Sequence, residues 1–324
     1  MYRLMAAILA AVSSLALVAS PVLAMPPPAQ AASGPDITAL MWQGLWQGTN
    51  LSFGGITIPN PAPAHNSTAQ APGMAAVGGG KYAALGDSVA AGVGLATPLT
   101  VPPSQSVCGR TAESYPSLVS KALDMPLTDA TCSGATAGDL ITDQRGSPEQ
   151  PPQLDTAFAA GRPSLMTITA GANDVHWEQF LYTCYYTDCA TVSSSATAAA
   201  LRGVLRAKLV SVFSSIQFRS NGQPPTVMYT GYYNPVSAAC EGHTQAITAA
   251  ELKWFNDQVT ALNGALQSVI RLYPFVHFVP IDFSGHDICS PDPWVQGLTS
   301  PRPFHPTAAG QQAIAQAVLQ SLGR

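Results

Sequence analysis

Charge is what this sequence has least of. Asp, Glu, Lys and Arg make up 10% of its 324 residues, where about a quarter is usual. The net charge is −4, and Lys and Arg never gather into a basic run. Nucleic-acid binding needs a clustered basic patch, so the composition argues against such a partner. Metal-ligand spacings are missing too. There is no CxxC pair and no HExxH, which leaves a structural zinc or zincin reading unsupported, and neither a metal nor a cofactor is expected. Gly92-Val93-Gly94 is only a fragment of a dinucleotide loop. The absence of GxSxG argues against the common α/β-hydrolase elbow. After the first two dozen residues no apolar run is long enough to span a bilayer.

Apolar residues, by contrast, make up 47% of the chain, enough for a sizeable core in one large domain or two small ones. With so few charges, the surface must be built from Ser, Thr, Gln, Asn and small residues. Met1–Ala24 carries one cation, Arg3, then an apolar stretch over Ala6–Val18 and small residues near Ala24 and Ala31. That pattern fits a secretory signal peptide cleaved after either alanine. An uncleaved anchor is the competing reading, but Ser13, Ser14 and Pro21 interrupt the stretch. No cysteine stands at either cleavage point to carry a lipid. All six cysteines follow residue 100. An even count in an exported chain suggests three disulfides, with fifteen pairings open. Cys184 and Cys189 bracket a short loop, and sequential pairing would then join Cys108 to Cys132 and Cys240 to Cys289.

The organisation follows from composition. Residues 32–80 form an N-terminal extension with linker-like Pro, Ala, Ser and Gly tracts around Ile37–Ile58, which holds Trp42, Trp46 and Phe53. Asn50-Leu51-Ser52 and Asn66-Ser67-Thr68 match the glycosylation acceptor pattern. From residue 81 to 324 strands and helices alternate. Strands are expected at Tyr82–Leu85, Leu127–Cys132, Leu165–Ala170, Thr226–Thr230 and Val276–Ile281. Helices are expected near Ala112–Leu123, at Thr197–Phe218 and Thr248–Leu272, and from Pro306 to the end. Such alternation predicts a three-layer α/β/α sandwich around a mostly parallel sheet.

The polar signatures fall where open parallel sheets place their ligands, past the carboxyl ends of strands. Ser88 follows the first strand, Ser133-Gly134-Ala135-Thr136 the second, and Gly171-Ala172-Asn173-Asp174 the third. Phe304-His305-Pro306 precedes the last helix. Gly-Asp-Ser alone is ordinary turn chemistry, and a single glycine, asparagine or histidine is more often structural. Together they supply acyl transfer. Serine needs a base, which at neutral pH is suitably a histidine, and the tetrahedral oxyanion needs fixed donors. The expected nucleophile is Ser88 and the base His305. The expected oxyanion donors are the N–H groups of Ser88 and Gly134 and the amide of Asn173. His176, near the Asn173 loop, is the second histidine of interest, while His65, His243, His277 and His286 lack such a context.

Four stretches, GDSVAAGVG (Gly86–Gly94), CSGATAGD (Cys132–Asp139), GAND (Gly171–Asp174) and FHPTAAGQ (Phe304–Gln311), come in one order across about three-quarters of the chain. In that order they resemble the SGNH/GDSL hydrolases, and most of all the secreted, three-disulfide actinobacterial branch. The resemblance implies an SGNH/flavodoxin-like sheet, a Ser88 nucleophile, a His305 base, an oxyanion site at Ser88, Gly134 and Asn173, and sequential cysteine pairing. One departure stands out. Three residues before the histidine the family often has Asp, and this chain has Arg302. Some members of the branch orient the histidine by a backbone carbonyl instead. The Arg302 carbonyl is the first expectation here, with Asp282, Asp287 or Asp292 as alternatives. The expected function is a secreted esterase or lipase acting on lipid or acyl esters as a monomer, with transient membrane or cell-envelope contact. Deacetylation of a polysaccharide or xenobiotic, or a non-catalytic cell-envelope role, are the alternatives.

Overall fold

The structure, a computed structural model, describes residues 51–53, 56–58, 80–177, 180, 195–237, 240 and 248–324. The signal-like segment, Trp42, Trp46, His65, Asn66, Cys184, Cys189 and His243 lie outside them. The chain divides into two units, Met1–His65 and Asn66–Arg324. In the first, β1 (Leu51–Phe53) pairs antiparallel with β2 (Ile56–Ile58), Leu51 opposite Ile58 and Phe53 opposite Ile56. Its sequence signal is Gly54-Gly55 between two alternating triplets.

The second unit is built on β3 (Tyr82–Gly86), buried at every position. A strand buried on both faces belongs inside a parallel sheet. The sheet order is β4 (Leu127–Asp129), β3, β5 (Leu165–Thr169), β6 (Thr226–Thr230), β7 (Val276–Val279), all parallel. This is the flavodoxin-like doubly wound order, in which the chain reverses its direction of growth at β3. Strand periodicity sorts the side chains. Ala83, Leu85, Met166, Ile168, Val227 and Tyr229 share one core with α4 (Ser195–Arg219) and α5 (Ala249–Ile270). Tyr82, Ala84, Leu165, Met228 and Val279 share the other with α2 (Tyr115–Leu123) and α6 (Ala308–Ser321). The result is the expected α/β/α sandwich.

Element ends carry their own reasons. Ser114 accepts from the Ser117 N–H and Pro116 sits in the first turn, so α2 starts at Tyr115 rather than Ala112. α5 opens with a full capping box, Thr248 with Glu251. Two short helices were not expected: α1 (Ser88–Ala91), directly after β3, and α3 (Gln153–Ala159). Disulfides join Cys108 to Cys132 and Cys240 to Cys289, as sequential pairing requires. The expected Cys184–Cys189 pair falls outside the described residues. Among the described residues no helix is long and apolar enough to cross a membrane.

Candidate active site

The end of β3 is a built corner. Gly86 has φ +136°, and a Cβ there would lie 2.2 Å from the Thr169 carbonyl oxygen. Only glycine lets β3 turn this close to β5. The corner is bracketed by a buried amide. Gln153 Oε1 accepts from the Gly86 N–H at 2.6 Å, and its Nε2 donates to the Gly86 carbonyl at 3.0 Å. Asp87 then caps α1, its Oδ1 accepting from the Val89 N–H at 2.9 Å. A second buried amide, Gln311, donates to the Val89 carbonyl at 2.8 Å and accepts from the Tyr115 N–H at 2.7 Å. Ser88, the first residue of α1, is thus fixed from below and from the side.

His305 Nε2 lies 2.8 Å from Ser88 Oγ, and its Nδ1 lies 3.0 Å from the Pro303 carbonyl oxygen. A carbonyl only accepts, so Nδ1 carries the proton and Nε2 of the neutral ring faces the serine hydroxyl as an acceptor. The carbonyl is not the one expected. Phe304 adopts φ +66°. That turn brings the nearer carbonyl, two residues upstream, to the ring, while the Arg302 carbonyl takes the His305 backbone N–H at 3.4 Å. The three aspartates have other partners. Asp282 accepts from Ser284 at 2.5 Å, Asp287 from Ser237 Oγ at 2.7 Å and the Cys289 N–H at 2.8 Å, and Asp292 lies 3.5 Å from His286.

Asn173 and Ala172 line the same small cleft as Ser88 and His305, a space of about 60 Å³. Its apolar wall is Trp177, Tyr232, Tyr233, Pro235, Pro303 and Phe304. Asn173 spends one amide hydrogen on the Ala135 carbonyl, at 2.8 Å, which fixes the Nδ2 group with a second hydrogen left. Gly134 does not itself line the cleft. It is tied there through Ala135, and neither its N–H nor that of Ser88 has an acceptor among the described residues. Gly134 has φ +79°, left-handed backbone that favours glycine. Asp174 joins the two loops: its carboxylate accepts from the Ala137 N–H and from Lys208 Nζ, each at 2.7 Å.

The other described histidines stay apart. His176 is exposed, in left-handed backbone, and does not line the cleft. His286 stacks on Trp294 at 3.7 Å, and burial holds His277 below its ordinary range. Cys240, Asp287 and Cys289 lie together, but both sulfurs belong to the disulfide.

Several residues that shape the site carried no sequence signal. Tyr232 Oη accepts from the Ala172 N–H at 3.1 Å and donates to Asp87 Oδ2 at 2.6 Å. Burial, opposed by that hydrogen bond, pushes the Asp87 carboxyl up to about 7. Gln296 Nε2 donates to the Val93 and Pro306 carbonyls at 2.9 and 3.0 Å, joining the end of α1 to the His305 loop. Neither Tyr232 nor Gln296 falls in a motif; only the packing reveals them.

Residues 84–313 match the GDSL-like Lipase/Acylhydrolase family. Lipase 1 of Streptomyces coelicolor is 31% identical over 76% of this chain and 87% of its own length. A lipase of Streptomyces rimosus is 28% identical over 74% of this chain and 85% of its own. The crystal structure of an extracellular lipase from S. rimosus covers 74% of this chain and 98% of its own, at 25% identity and a TM-score of 0.56. That of phospholipase A1 from Streptomyces albidoflavus covers 75% and 98%, at 26% identity and a TM-score of 0.53. With its family signature spanning the sheet and the cleft, this chain belongs to the GDSL-like lipases and acylhydrolases and is a carboxylic-ester hydrolase.

Proposed function

We propose that the protein is a secreted lipase or esterase that works through an acyl-Ser88 intermediate with His305 as its base. The contact between Ser88 Oγ and His305 Nε2, with Nδ1 on the Pro303 carbonyl, carries this reading. Ser88 Oγ attacks the ester carbonyl carbon as His305 Nε2 takes its proton. The carbonyl oxygen becomes an oxyanion facing the N–H groups of Ser88 and Gly134 and the remaining Asn173 amide hydrogen. The tetrahedral intermediate collapses, the C–O bond of the ester breaks, and the imidazolium returns the proton to the departing alkoxide. Water, deprotonated by His305, then attacks the acyl carbon; the proton passes back to Ser88 Oγ as the acid leaves. The Pro303 carbonyl orients the ring as a dipole, without a carboxylate.

The aromatic wall of the cleft favours an acyl chain, and the relatives include lipases and a phospholipase A1. Export is supported by the Met1–Ala24 pattern, the disulfides and an extracellular relative. In this reading residues 1–31 are removed or partly removed, 32–80 extend the mature chain, and 81–324 form the hydrolase. The test is a p-nitrophenyl ester series on wild type and Ser88→Ala. The variant should lose about 10⁴-fold or more in kcat and all covalent labelling by a fluorophosphonate. Wild-type kcat/KM should rise from acetate to longer acyl chains. Full activity in Ser88→Ala sinks the mechanism, and a series that peaks at acetate replaces lipid hydrolysis with deacetylation.

A further inference from the structure

The chain lacks the family's aspartate before His305, yet the imidazole is held at both nitrogens. The carbonyl that holds it belongs to a peptide group whose other end is also bonded. In a trans peptide C=O and N–H point in opposite directions. The Phe304 N–H donates to the Gln296 carbonyl at 3.0 Å, which aims the Pro303 C=O the other way, at Nδ1. One residue further on, the Gln296 N–H donates to the His305 carbonyl at 2.7 Å, so Gln296 brackets the turn with both of its backbone groups. Inside this bracket Phe304 has φ +66°, a conformation that a bulky side chain rarely adopts unless its surroundings impose it.

A phenol reaches this turn. Tyr233 Oη donates to the Phe304 carbonyl at 2.8 Å. The Tyr233 ring is buried and stacks on Phe283, centroids 4.2 Å apart and planes 19° apart, so the hydroxyl has little freedom to wander. Burial keeps that hydroxyl well above its ordinary range, hence protonated and able to donate at any working pH. The neighbouring Tyr232 turns to the opposite core and donates to Asp87, on the serine side. Two consecutive tyrosines after β6 therefore reach both halves of the Ser88–His305 pair.

We propose that Tyr233 is a positioning residue: its hydroxyl holds the left-handed turn at Phe304, and through it the Pro303 carbonyl on His305 Nδ1, in place of the missing aspartate. Tyr233 acts through the backbone and touches no reacting atom. The inference rests on reading Ser88 and His305 as the catalytic pair, and the two fail separately. Tyr233→Phe keeps the stacked ring and removes one oxygen. It should lower kcat about 10- to 30-fold, the equivalent of one well-placed hydrogen bond, with KM for a soluble ester changed less than twofold. Glycine adopts positive φ without a clamp, so in a Phe304→Gly background the same Tyr233→Phe change should cost under about threefold in kcat. The His305 Nδ1–H proton should give a downfield NMR signal in wild type and in Ser88→Ala, and lose it in Tyr233→Phe. An unchanged kcat in Tyr233→Phe, an equal loss in both backgrounds, or an effect on KM alone overturns the assignment. The NMR signal, recorded in the cold, decides the matter if the variant melts early. Activity in Ser88→Ala would instead overturn the catalytic pair while leaving the signal in place.

Discussion

At Asp87 the fold holds a carboxyl group that burial has raised from 3.8 to about 7. The sign of its effect on stability follows. Below about pH 4 the side chain is protonated in both states and the folded form keeps its full advantage. As pH rises from about 4 to 7 the unfolded chain ionises first, so stability falls, by an amount on the order of 4 kcal/mol when the folded group has titrated too. Asp87→Asn retains an oxygen for the Val89 N–H and a donor for Tyr232, and should flatten this part of the curve. Melting temperatures of the two proteins across that range test it; parallel curves would rule it out. At this scale the sequence was legible where chemistry demands a residue type. Ser88 and Asn173 stood at strand ends and His305 just before the last helix, and the three meet in one cleft. The acceptor for His305 was not legible, because it depends on the φ of Phe304. No residue code announces that a phenylalanine will adopt left-handed backbone.

Among elements, α3 shows what sequence periodicity overlooks. It is seven residues long, follows Pro151-Pro152 and is too short for an amphipathic rhythm. Its role is to deliver Gln153 to Gly86. Gln153→Leu fills a similar volume but strips the Gly86 N–H of its acceptor and takes one donor from the carbonyl, which the Cys132 N–H still reaches at 2.9 Å. The expected cost is about 2–4 kcal/mol, read by urea unfolding; a change below about 0.5 kcal/mol would show the bracket to be idle. The longer elements were legible because burial writes itself into apolar runs and four-three spacing. Even the apparent overreach at Leu127–Cys132 has a basis. The formal strand stops at Asp129, whose side chain turns back to the Thr131 N–H, but the Ala130 and Cys132 N–H groups still bond Ala84 and Gly86.

Across the whole molecule, the strand order could be anticipated only as a class. Alternation predicts parallel β-α-β units, while the reversal at β3 that opens the cleft is a property of the assembled sheet. The scarcity of charge has its counterpart in how the cleft is held. Gln153, Gln296 and Gln311 bridge backbone segments around it, with Tyr232 and Tyr233 above, and all five are neutral. Among the described residues, Lys208–Asp174 is the one ion pair that ties a loop beside the cleft, holding it to α4, and its carboxylate is buried. Dissolved ions weaken attractions between exposed charges within a few ångströms at molar strength, but have little purchase on amides and phenols inside a core. Turnover of an uncharged soluble ester should therefore stay within about twofold from dilute buffer to roughly 1 M sodium chloride. A tenfold fall over that range would mean that charges do hold the cleft. A cleft tied together by neutral groups is thereby expected to keep its shape in brine, where one held by exposed ion pairs would loosen.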